Sequence, residues 1–85
     1  MGREREFLLA RIQLALDGHA VGVDELASAL PNPGRLDRLE KAALIALYSW
    51  SADAELRTLY RRWDRFGRQR LQELSASLAA MKGEG

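Results

Sequence analysis

Residues 55–81 read ELRTLYRRWDRFGRQRLQELSASLAAM, and the reading of this stretch decides the fold. On a helical wheel Leu56, Leu59, Tyr60, Trp63, Phe66, Leu71, Leu74, Leu78 and Met81 share one arc, the pattern of a stripe buried against a core. On the other side Arg57, Arg61, Arg65 and Arg68 line up, opposed only by Asp64. A helix needs only the apolar face in order to fold. The basic face is therefore either solvation or a surface for something negative.

Upstream, the same reasoning gives three more helices. The first spans about residues 3–17, with Leu8, Leu9, Ile12, Ala15 and Leu16 on one face and Gly18 as its stop. Phe7 and Leu14 lie off that face and are expected against a partner or the last helix. The second is short, about residues 23–30, with Asp24 and Glu25 near its positive end. Pro31-Asn32-Pro33-Gly34 closes it and opens the third, about residues 33–50, with Asn32 as N-cap and Pro33 at the first helical position. The run Ala42–Tyr48 is apolar nearly all round, which places this helix at the centre of a bundle. Ser51 or Asp53 caps the fourth helix, about residues 54–82, with Gly83 as its stop. No strand pattern appears anywhere. The expectation is an all-α, single-domain bundle of about four helices over residues 1–85, with Trp50 and Trp63 in one core.

Composition narrows the class further. Hydrophobic content of 47% and charged content of 29% are ordinary for a folded soluble protein. No cysteine is present, so disulfides and thiolate metal sites are excluded. Phe7–Leu16 is interrupted by Arg11 and Gln13, and no apolar run approaches the roughly 20 residues of a membrane span. The chain reads as soluble and cytoplasmic, without membrane contact. Net charge is +1, but residues 1–55 carry six bases against nine acids (−3) and residues 56–85 seven against three (+4). That asymmetry suits an acidic partner for the C-terminal half, or attraction between the halves.

Chemistry has little to build on. The single histidine, His19, stands in a connection with no serine partner nearby. Glu4/Glu6, Asp24/Glu25 and Asp37/Glu40 are paired acids beside helix starts or bases, and no histidine–carboxylate spacing suits a metal. The glycines form no phosphate-cradling loop. No catalytic residue, metal site or cofactor is expected, and the chain reads as a non-enzyme.

Two interaction surfaces are expected instead. Arg57, Arg61, Arg65 and Arg68 are the candidate contacts to an acidic protein or to phosphate, since arginine forks bind both bidentately. A nucleic-acid reading gains from residues 23–38, which in outline resemble a helix-turn-helix: a short helix, a turn, then Arg35-Leu36-Asp37-Arg38. Against it, the turn holds two prolines, the candidate recognition helix is as acidic as basic, and the pI is only about 8.2.

The second surface follows from length. A straight fourth helix of some 27–29 residues would run roughly 40–44 Å, about 10 Å beyond a globule of this size. Its overhanging end would show Leu71, Leu74, Leu78 and Met81, with Arg70 inside the apolar arc, and burying that stripe in a homodimer is the simplest remedy. Arg70 either lays its stem on the apolar surface or pairs with an acid of a facing helix. Gly67 leaves two options open: a kink that folds the end back, or a close approach to a neighbouring helix.

Overall fold

Helix α1 (Arg3–Leu16) begins with Glu4 and Glu6 in its first turn and turns Leu8, Ile12 and Ala15 into the core. It stops where a residue must adopt a left-handed conformation, and Gly18 does so at φ 94°. The Gly18 amide donates to the Ala15 carbonyl and the His19 amide to the Leu14 carbonyl, the paired bonds of a Schellman cap. These positions come from a computed structural model, which describes residues 3–82, with the backbone alone for 81 and 82.

Helix α2 (Val23–Ala29) is a two-turn element that contributes Leu26 to the core. The next start differs from expectation. Pro33–Arg35 form only a 3-10 turn, and α3 (Arg38–Ala52) begins five residues later than Asn32 and Pro33 would have it, behind Asp37. A better cap decides this. The Glu40 amide donates to Asp37 Oδ1 at 2.7 Å, and the Asp37 amide donates to Glu40 Oε1 at 3.0 Å. Both first-turn donors are satisfied reciprocally, whereas Asn32 makes no side-chain cap. Arg5 of α1 reaches across to Asp37 Oδ2 at 2.6 Å and Glu40 Oε2 at 3.2 Å, fastening α1 to the start of α3.

Helix α3 is central, as its apolar character predicts: it packs on α1, α2 and both later helices. Ala43, Leu44, Ala46, Leu47 and Trp50 are buried, while Ile45 remains exposed.

The expected fourth helix is two. Helix α4 (Ala54–Leu59) ends at Tyr60, whose backbone is extended at φ −127°, ψ 112°, and α5 (Arg61–Lys82) starts afresh. Neither proline nor glycine marks the break. What it achieves is tertiary, because α5 can then lie back along α3 and α1, where Leu71 and Leu78 are fully buried. Across the break Arg57 bridges towards Asp64 at 3.9 Å.

The overhang disappears with the break. Helix α5 has 22 residues, about 33 Å at 1.5 Å per residue, and the molecule is itself 40 Å in its longest dimension. The chain is all-α, with no strand among the described residues. No helix of the described residues is long and apolar enough to cross a membrane.

Candidate functional site

On α5 the residues that face the core are Gly67, Leu71, Leu74 and Leu78, within about 60° of the helix circumference. Trp63 and Phe66 flank that arc and stay in solvent, 47% and 72% exposed. Trp63 therefore does not join Trp50 in the core, contrary to the sequence expectation. Leu56, Leu59 and Tyr60 are exposed too, so five of the seven exposed large apolar side chains among the described residues fall between Leu56 and Phe66. They lie within eleven consecutive residues across the junction of α4 and α5, the aromatic edge.

Beside this edge runs a groove between α3 and α5, of about 220 Å³, lined by Ala46, Trp50 and Leu71 and by Trp63, Phe66 and Arg70. Its polar residues are Ser49, Asp53, Arg57 and Arg70, and no histidine or lysine reaches it. The groove exists because of Trp50 and its neighbours. Gly67 lets α5 approach the indole, and the Arg57 guanidinium lies over the ring, 3.5 Å from its centre. Arg57 also donates to the Trp50 carbonyl. Desolvation by this burial lowers the Arg57 pKa from its ordinary value, against the opposing pull of Asp64 and Asp53. A guanidinium titrates far above neutrality, so it remains charged on the ring.

The structure thus divides the four expected arginines. Arg57 is part of the fold: it sits on another helix and is half-buried against Trp50. Arg68 is half committed, donating to Asp64 Oδ2 at 2.9 Å and to the Leu16 carbonyl at 2.9 Å, where a cation meets the negative end of α1. Arg61 and Arg65 are exposed and make no ion pair with a described residue. Together with Arg68 they border a shallow depression completed by Asp64, Gln69 and Gln72. Arg62, close by, is also exposed.

The expected self-association residues are placed differently. Leu71 and Leu78 are 1% and 0% exposed and Leu74 is half-buried against the same core, so this stripe closes the chain's own interior. Arg70 is exposed at the groove, without an acid partner among the described residues, and Met81 lies outside the residues whose side chains are described. Gly67 serves close approach and not a kink. His19 is exposed, and no group of three metal-binding side chains occurs among the described residues.

Sequence reasoning missed the exposure of Trp63 and Phe66, and it missed Gln69 and Gln72 beside the arginines. The available signal was angular: Phe66 lies about 110° from the centre of the buried arc. Comparison of the chain with family models, curated proteins and solved structures finds no match in any of the three.

Proposed function

We propose that this chain is a non-enzymatic helical protein–protein interaction module that self-associates as a two-fold homodimer through its aromatic edge. The observation that carries the reading is the clustering of Leu56, Leu59, Tyr60, Trp63 and Phe66 in solvent beside an apolar groove. At 58%, 47% and 72% exposure, Tyr60, Trp63 and Phe66 leave on the order of 300 Å² of apolar surface open. The leucines extend this into the size range at which patches on single chains are often functional, roughly 300–600 Å². A standard interface takes about 800 Å² from each partner, so the edge supplies a core and its polar surroundings supply a rim.

A second copy is the favoured occupant because the rim carries both signs. Glu55 stands on α4, and Arg62 and Arg70 stand on α5 around Trp63 and Phe66. Because an isologous contact is reciprocal, a pairing of Glu55 in one copy with Arg62 or Arg70 in the other would form twice across the axis. Sedimentation at micromolar concentration tests the reading. A dimer that dissociates in Phe66→Ser and Trp63→Ser, with helix content retained, is the expected result. A monomer at tens of micromolar would remove self-association and leave an acidic, partly apolar protein segment as the occupant to seek.

A further inference from the structure

Independently of self-association, we infer that the solvent face of α5 formed by Arg61, Arg62 and Arg65, with Arg68, Gln69 and Gln72, binds the phosphodiester backbone of duplex DNA. Three observations point the same way. First, the charge is uncompensated. Residues 56–72 hold six arginines and one acid, Asp64, and that acid is engaged by Arg57 and Arg68. Arg61, Arg62 and Arg65 make no ion pair with any described residue and are exposed.

Second, the arrangement is held against local electrostatics. Arg61 and Arg65 are like charges one turn apart, and Arg62 and Arg65 are three residues apart, both repulsive spacings on a helix. Arg61 and Arg62 also open α5, whose N-terminal end is already positive. A face serving only solubility has no need of this arrangement, because alternating signs would solvate it equally well.

Third, the face contains no apolar anchor. Arg61, Arg65 and Gln69 follow one another at a rise of about 6 Å per turn, and the row through Gln72 extends about 16 Å. The exposed apolar side chains lie elsewhere on the helix, at Trp63 and Phe66. Protein interfaces are organised around buried aromatic or aliphatic anchors. A phosphate backbone needs none and is held by arginine forks and amide donors, which is what this face offers. The reading shifts the contacts relative to the sequence expectation: Arg57 drops out, and Arg62, Gln69 and Gln72 enter.

The test is a titration of the full chain with short fluorescent duplex DNA at two salt concentrations. Three freed phosphate contacts give a log–log slope of about −2.7, so affinity falls about 40-fold between about 50 and 200 mM salt. The R61Q/R62Q/R65Q variant is expected to lose most of the binding and most of the slope. The R61K/R62K/R65K variant, which keeps the charge, retains the slope and serves as the second reading should the glutamine variant fold poorly. Ile45→Ser, at an exposed α3 residue outside both the arginine face and the aromatic edge, leaves the slope unchanged. Absence of binding at the lower salt with tens-of-micromolar protein overturns the inference. So does polyglutamate competing as well as DNA, which would assign the face to an acidic protein. Preference for a single strand, lost in Trp63→Ser, would move the site to the aromatic edge and equally overturn it.

Discussion

Gly67 of α5 lies so close to Trp50 of α3 that a Cβ on residue 67 would stand 2.8 Å from the indole Cζ3 and 2.9 Å from Cε3. The indole has no room to retreat, because the Arg57 guanidinium covers its ring at 3.5 Å. The α3–α5 contact and the floor of the groove therefore depend on a missing methyl group.

Gly67→Ala is the direct test. Alanine in a helix interior gains up to about 1 kcal/mol over glycine, but overpacking a tight contact loses about 1–3 kcal/mol. The clash wins, and a net loss of about 1–2 kcal/mol is expected in urea denaturation. Trp50→Phe removes the ring atoms that Cβ would meet, so in that background the same change is expected to become neutral or stabilising. A Gly67→Ala variant more stable than the wild type would refute the close approach.

The second prediction inverts the sequence expectation for Trp63 and Leu78. Leu78 is completely buried, so Leu78→Ala should lose about 2–5 kcal/mol, a large share of what a domain this small possesses. Trp63 is 47% exposed and packs on one side only, so Trp63→Ala should lose less than about 2 kcal/mol. Chemical denaturation of the two variants ranks them, and the opposite order would return Trp63 to the core.

That inversion shows what was legible in the sequence and what was not. Caps and stops are local, and Gly18 and the extent of α1 could be read from adjacent residues. The central place of α3 was equally plain from Ala42–Tyr48. The period of Leu56–Met81 identified helix correctly, but a wheel assumes one uninterrupted axis. It therefore placed Leu56 and Leu78 on a common face that does not exist once the axis turns at Tyr60, whereas Trp63, on α5 itself, stands at the edge of the buried arc about 60° from Leu78. No residue near the turn forbids helix. The turn is favoured by distant contacts, namely Arg57 on Trp50 and Leu71 and Leu78 in the core, and these have no local signature. The arginine face suffered the same error at Arg57, which sits on α4, whereas Arg61, Arg65 and Arg68 share α5.

Arg5 carries the third prediction. Glu40 is 8% exposed, and its carboxylate accepts from the Asp37 amide and from Arg5. Replacing Arg5 with Met keeps the aliphatic stem but leaves a nearly buried carboxylate without its cation. A loss of about 2–4 kcal/mol is expected, more than a surface ion pair contributes. Adding Glu40→Gln, which can still accept the Asp37 amide bond, should recover part of it. If Arg5→Met alone changes stability by less than about 0.5 kcal/mol, the clamp between α1 and α3 is only an exposed contact.

The last prediction concerns the break itself. In a continuous helix over residues 54–82, proline at position 61 would remove an interior hydrogen bond and clash with the preceding turn, at about 3 kcal/mol or more. In the structure Arg61 is the first residue of α5, its amide donates to no backbone carbonyl across the break, and Tyr60 before it is extended at φ −127°, ψ 112°. Those are the conditions under which proline fits: a free amide, a helical φ and an extended residue ahead. Arg61→Pro should therefore leave stability within about 0.5 kcal/mol of the wild type, with unchanged helix content. Unfolding of this variant would mean that α4 and α5 are one helix, and the burial of Leu71 and Leu78 against α1 and α3 would need another explanation.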